Sequence, residues 1–318
     1  MQNITMVREF ILLGFTHDFR LAILLFLLLS ITYILTLMGN TMIIVITLMN
    51  HQLHTPMYFF LRHFAILEVG FTTTVIPKAL ANIALGHKTI SLQGCFTQSF
   101  LYFVLGTMEF ILLAVMSMDR YLAICNPLHY PAIMTDRTCS WLVLCSWVGG
   151  LLLIMGPSAI LFHMPFCGPN TINHFFCDSG PLIKLVCVDT SLLEFIDLLT
   201  ATLSLFGSLA INIVSYANII STIFHIPSTT GRQKAFSTCV SHITVVSITY
   251  GSCIFMYIKP SGAGKIDLSK AAAVLNTVVS PLLNPFIYCL RNKQVKDKNL
   301  LREGFFKIAP FNGILSLY

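Results

Sequence analysis

Two carboxylates, Glu68 and Glu109, stand where a charged group is least welcome, each in the middle of a long apolar stretch. Like charges close together in a poorly solvated interior cannot both stay ionised, so such a pair either shares a proton or holds a cation. The chemistry implied is a proton- or ion-sensitive switch; two neutral, hydrogen-bonded acids serving only packing are the competing reading. A second constellation, Asp119-Arg120-Tyr121, closes the third apolar stretch. An acid beside an arginine can form an ion pair that is intact in one state and broken in another. A third, Asn284-Pro285-Phe286-Ile287-Tyr288, puts a proline inside the last stretch. Proline removes a backbone donor and loosens the helix there, while Asn284 and Tyr288 offer polar partners to a rearranged neighbour. No nucleophile–base pair and no metal-ligand cluster falls in these stretches, so no enzyme chemistry, metal or cofactor is implied.

The elements that position these groups follow from the solvent. The windows 21–61, 89–108, 138–177, 198–231, 235–258 and 271–290 contain no Asp, Glu, Lys or Arg, and 56–85 is interrupted only by Arg62, Glu68 and Lys78. A helix needs about 20 apolar residues to cross the hydrocarbon core, and in lipid only helices or closed barrels satisfy their own backbone. These runs are continuous rather than alternating, which predicts helices. Hydrophobic residues make up 56% of the 318-residue chain and charged ones 10%, against roughly 25% in an average soluble domain. The expected fold is an all-α integral membrane bundle of seven helices, roughly 21–49, 56–85, 92–125, 138–162, 192–226, 232–258 and 268–290. Segment 1–20 is then an extracellular N-terminus, 21–290 the transmembrane domain, and 291–318 a cytoplasmic tail. Pro77, Pro157, Pro281 and Pro285 should kink or locally break their helices.

The basic residues Arg291, Lys293, Lys296, Lys298, Arg302 and Lys307 cluster just past the last span, where they read as cytoplasmic and close to anionic lipid. Apolar residues among them fit a short amphipathic helix on the inner membrane surface. A net charge of +6 carried this way does not form a groove-sized basic face, so nucleic acid is not an expected partner. Met1–Arg20 lacks the pattern of a signal peptide but carries Asn3-Ile4-Thr5, a glycosylation sequon usable only on the lumenal side. An outer N-terminus and seven crossings place the tail inside, in a multi-pass plasma-membrane protein. Six cysteines (Cys125, Cys139, Cys145, Cys239, Cys253, Cys289) fall in or at the ends of spans and read as small buried hydrophobes. Cys95, Cys167, Cys177 and Cys187 fall in outer connections, where disulfides are expected; spacing leaves all three connectivities open. The long connection 163–191 carries three of them and reads as a lid over an outward-facing cavity.

Taken together, these motifs resemble the rhodopsin-like family of G-protein-coupled receptors. More specifically, the chain resembles the odorant (olfactory) receptors of the class II, or tetrapod, branch. That resemblance is carried by Gly39-Asn40, Leu53-His54-Thr55-Pro56-Met57-Tyr58-Phe59-Phe60-Leu61, Met118-Asp119-Arg120-Tyr121-Leu122-Ala123-Ile124-Cys125 and Pro127-Leu128-His129-Tyr130. Further matches are Ser215-Tyr216, Lys234-Ala235-Phe236-Ser237-Thr238-Cys239, Ser241-His242 and Pro281-Leu282-Leu283-Asn284-Pro285-Phe286-Ile287-Tyr288. The chain departs from the family's usual pattern at Met118, at Arg62-His63 and at Glu68. The resemblance implies disulfides Cys95–Cys177 and Cys167–Cys187. It implies a small volatile odorant as ligand, a heterotrimeric G protein with a stimulatory, olfactory-type α subunit as partner, and a rise in cAMP as output. Asp119, Arg120, Tyr121, Tyr216, Lys234, His242, Asn284, Pro285 and Tyr288 then form the coupling and switch machinery.

A ligand pocket should lie in the outer half of the bundle, mainly between helices three, five, six and seven. Tyr102, Phe103, Gly106, Thr107 and Phe110 recur at helical spacing on helix three. Thr200, Ala201 and Ser204 face them from helix five, Tyr250, Cys253, Ile254 and Tyr257 from helix six, and Thr277 from helix seven. The lining is mostly apolar with a few hydroxyls, suited to a ligand held by burial and one or two hydrogen bonds. No lysine sits centrally enough in helix seven for a retinal Schiff base. A proton-coupled carrier using Glu68 and Glu109 as a relay is disfavoured by the absence of internal repeats.

Overall fold

The computed structural model describes residues 7–15, 18–86, 88–167, 169–257 and 265–291. Asn3, the tail 292–318 with its expected surface helix, and the side chains of Lys234, Tyr257 and Tyr288 lie outside the described residues.

Seven long helices account for nearly all of the described chain: α1 (Phe19–Met49), α2 (Pro56–Leu85), α3 (Leu92–Cys125), α4 (Asp136–His163), α5 (Ser191–His225), α6 (Thr229–Tyr257) and α7. The last runs as Lys265–Val274 and Ser280–Arg291, joined through a π-helical turn at Leu275–Val279. Each start carries a local reason. Asp18 accepts from the backbone N–H of Arg20 at 2.8 Å, Ser91 from Gly94 at 3.1 Å, and Thr135 from Thr138 at 3.3 Å, so three N-termini are capped by side chains. Pro56 opens α2 at a position where its missing donor is not needed, and Gly86 (φ +67°) ends it in the left-handed conformation.

α1 to α5 are each long and apolar enough to span a bilayer, and α6 contains the shorter apolar segment Cys239–Phe255. Their outward faces show why: Leu24, Leu27, Leu28 and Ile31 of α1, and Leu198, Phe206, Ile213 and Val214 of α5, are all exposed. Apolar side chains facing hydrocarbon lose nothing there. Cys145 joins this outward set rather than the core, whereas Cys139, Cys239 and Cys253 are buried as expected. α3 lies at the centre and packs against α2, α4, α5 and α6. The main core gathers around Phe60, Phe64, Leu67, Leu112 and Leu113. Gly39 lets α1 touch α7, since a Cβ there would lie 2.9 Å from Cβ of Pro285.

At the end of the bundle where α1 begins, the chain does something the apolar pattern did not announce. Glu9–Leu12 forms a strand, β1, antiparallel to β2 (Thr89–Ser91) and parallel to β3 (Thr171–Ile172), in the order β2-β1-β3. Phe10 and Leu12 alternate inward and are fully buried against Ile90, Phe166 and Ile172. Disulfides join Cys95 to Cys177 and Cys167 to Cys187, with Cα–Cα separations of 5.4 and 5.5 Å. The segment 163–191 is thus tied to α3, to itself and to the N-terminal strand.

Candidate functional site

A cavity of about 290 Å³ opens beneath this cap. Tyr102, Phe103, Gly106, Thr107 and Phe110 of α3 line it, as do Thr200, Ala201 and Ser204 of α5 and Cys253 of α6. Three expected residues do not. Tyr250 turns its hydroxyl away, donating to Oγ of Ser208 at 2.7 Å and accepting from Nδ2 of Asn212 at 3.2 Å. A phenol in a membrane interior needs such partners, and the ring still packs against Phe110 with centroids 5.2 Å apart. Ile254 packs into the core instead. Thr277 is fully buried and donates to the carbonyl of Ala273 at 2.7 Å. The stripe of α6 that faces the cavity is Thr249 and Cys253, about 100° around the helix from Tyr250 and Ile254.

The wall is also more α4 and loop than expected, and less α6 and α7. Ile154, Pro157, Ser158 and Leu161 form an α4 stripe, and Ser179, Gly180 and Ile183 come from the disulfide-bonded segment. Their spacing of three to four residues on α4 was a readable signal. Glu194 and Asp197 were missed although they lie on the same α5 face as Ala201 and Ser204, three, seven and ten residues along.

The cap is fixed to the cavity wall. Gln98 of α3 accepts from the N–H of Cys177 at 3.0 Å and donates to the carbonyl of Thr74 at 3.0 Å. Phe176 lies 4.6 Å from the ring of Tyr102, which stacks on Phe71 at 4.8 Å. Neighbouring His174 is buried between Phe175 and Phe176. Burial, reinforced by Lys270, pushes its pKa down to about 3.

Deeper, Glu68 and Glu109 are both buried and near enough to interact electrostatically. They are not equivalent: Nδ2 of Asn284 donates to Oε1 of Glu68, tying α7 to α2, while Oε1 of Glu109 has no hydrogen-bond partner among the described residues. Asn40 adds α1 to this layer, donating to the carbonyl of Pro281 at 3.3 Å. Pro285 packs against Gly39, and Ser241 of α6 donates to the carbonyl of Ile287 at 3.2 Å.

At the opposite end of the bundle from the cavity, Arg120 pairs with Asp119 at 2.8 Å, with both side chains largely buried. Tyr130, from the short turn Tyr130–Ile133, donates to the other oxygen of Asp119 at 2.8 Å. Burial first, and Asp119 second, push the Tyr130 phenol pKa up, so it remains a donor throughout the physiological range. Tyr216 of α5 and His242 of α6 share a hydrogen bond of 2.6 Å. Tyr121 packs into the small apolar cluster around Tyr216, Ile219 and Cys239. Met118 is exposed on α3, and Arg62 lies over the Phe59 ring, 5.1 Å from its centroid.

A capped seven-helix bundle with a cavity at one end and a buried Asp–Arg pair at the other has the architecture of a G-protein-coupled receptor. Squid rhodopsin superposes with a TM-score of 0.72 over 93% of this chain and 82% of its own, at 18% identity, a likeness of fold. The olfactory receptor family model matches residues 29–302, and the chain belongs to that family, one of receptors rather than enzymes. Olfactory receptor 6E1 of Mus musculus is 59% identical over 98% of this chain and 99% of its own length. Olfactory receptors 6C74 and 6C2 of Homo sapiens are 54% and 53% identical, each over 93% of this chain and 95% of their own. Family membership and the apolar helices make this a multi-pass protein of the plasma membrane.

Proposed function

We propose that the outer cavity binds small volatile odorants and that binding activates a heterotrimeric G protein with a stimulatory, olfactory-type α subunit, raising cAMP. The observation that carries this is the continuity of α3. One helix supplies the cavity wall from Tyr102 to Phe110 and, ten residues or about 15 Å further on, the Asp119–Arg120 pair. An odorant activates only by binding the active arrangement better than the resting one. Release of Arg120 from Asp119, with displacement of α6 from the Tyr216–His242 contact, exposes the surface for Gα. Tyr288 and Lys234 belong to that surface on the same reading. Glu68 and Glu109, joined to α7 through Asn284, make the layer between cavity and inner face sensitive to a proton or a cation. The N-terminus, with Asn3 glycosylated, is extracellular, and the basic tail is cytoplasmic.

The test is a cAMP screen of chemically diverse odorants in cells supplied with the olfactory-type Gα. Responsive odorants should lose all effect in Arg120→Ala, at unchanged surface antibody labelling. An Arg120→Ala receptor that reaches the surface and signals normally removes the arginine from the mechanism.

A further inference from the structure

The cavity's charge is one-sided. Glu109, Glu194 and Asp197 line it, and among the described residues no Lys, Arg or His does. Lys184, next in sequence to the lining residue Ile183, is exposed and not part of the wall. Glu194 accepts from the Thr190 hydroxyl at 2.8 Å. Asp197 is half-buried and makes neither a hydrogen bond nor an ion pair with any described residue. The charged neighbour that acts on it is a second carboxylate, Asp178. At the cavity's deep end Glu109 is 6% exposed, and its Oε1 has no hydrogen-bond partner among the described residues. Acceptors therefore wait at both depths: Asp197 about 9 Å along α5 from its outer end, and Glu109 about 26 Å along α3 from its own.

We propose that the cavity selects small protonated amines over carboxylic acids, with the ligand's ammonium against Asp197 and its apolar body running past Phe103 and Phe110 toward Glu109. This rests on reading the cavity as the odorant site and names the chemical class it takes. An ammonium gains a charge-assisted hydrogen bond from a carboxylate that lacks a partner. A carboxylate ligand must shed its hydration into a cavity to which the described residues offer no cation and which already holds like charge. A neutral alcohol binds by burial with ordinary hydrogen bonds and should fall between the two.

The experiment uses the full-length receptor in cells with olfactory-type Gα. Its probes are matched amines, alcohols and carboxylic acids on the same straight-chain and cyclic skeletons, read as cAMP above receptor-free cells and normalised to surface labelling. Amines should act at concentrations about tenfold lower than the matched alcohols, with the acids silent. Asp197→Asn should raise the amine half-maximal concentration about tenfold or more while moving that of the alcohols by less than about twofold. Asp197→Ser serves if the asparagine variant does not reach the surface. Acids as potent as amines, or an amine response untouched by both variants, overturn the proposal. Activation by alcohols or acids without amines overturns it alone, leaving the receptor reading intact. Silence toward every class from a receptor at the surface overturns both.

Discussion

Single side chains at the two ends of α3 do different kinds of work, and substitutions separate them. Tyr130 holds Asp119 from the side opposite Arg120. Tyr130→Phe keeps the ring and removes only the donor, so the carboxylate loses one of the two groups that keep it in place. A hydrogen bond of this kind contributes about 1 kcal/mol net, which shifts the resting-to-active ratio roughly fivefold toward the active state. Basal cAMP per surface receptor should rise accordingly; a flat baseline would mean that Tyr130 is indifferent to the switch. At the outer end, Thr107 and Tyr250 make a paired comparison. Thr107 lines the cavity, whereas the Tyr250 hydroxyl is spent on Ser208 and Asn212. Thr107→Ala should change the rank order of odorant potencies. Tyr250→Phe should leave rank order alone and lower thermal stability or surface yield, because a buried hydroxyl and amide lose a partner at a cost of about 1–3 kcal/mol. Dose–response curves for several odorants, with melting of the detergent-solubilised protein, distinguish the two.

Among the elements, the outer cap carries the clearest pH dependence. His174 is held neutral by burial, with a folded pKa of about 3 against an ordinary value of 6.5. A depressed folded pKa means that the unfolded or opened segment binds the extra proton. Cap stability is therefore fully present above about pH 6.5 and declines as pH falls toward 3, by about 2 kcal/mol at pH 5. Hydrogen-exchange protection of the 169–187 backbone, taken relative to the intrinsic exchange rate at each pH, should fall between pH 7.5 and 5, and His174→Gln should remove most of that fall. The helices beneath the cap were legible because lipid leaves a mark every residue long: charge is expelled, and the runs around α1 to α7 show it. Rotation about each helix axis is a fainter mark. On α6 both faces are apolar, so Thr249 and Cys253 could not be told from Tyr250 and Ile254 by period alone. The strand Glu9–Leu12 was invisible for a different reason. Its partners lie some 80 and 160 residues away, and two alternating apolar residues, Phe10 and Leu12, are too short a pattern to declare a sheet. Asp197 escaped notice because a carboxylate six residues into a span resembles an interfacial residue until the cavity beside it is known.

For the whole molecule the proposed function asks how an occupied cavity is felt at Arg120, and thermodynamics constrains the answer without any assumed pathway. If an odorant favours the arrangement that a G protein also favours, the G protein must raise odorant affinity by the same factor, because the coupling free energy belongs to the pair of sites. The elements available to carry it are continuous: α3 spans both sites, and the layer formed by Asn40, Glu68 and Asn284 ties α1, α2 and α7 together between them. Coupling of about 1–3 kcal/mol, the common range, predicts a roughly 5- to 150-fold tightening of odorant binding when nucleotide-free G protein is added to purified receptor. Arg120→Ala should abolish that tightening, since on the proposed coupling Arg120 acts on the G protein and touches no part of the cavity. Asn284→Ala removes the donor to Glu68 and should reduce the tightening without abolishing it. Odorant affinity that is the same with and without G protein, in a receptor shown to bind both, would mean that the two ends of α3 act independently. The cavity would then have to be treated as a binding site without a switch.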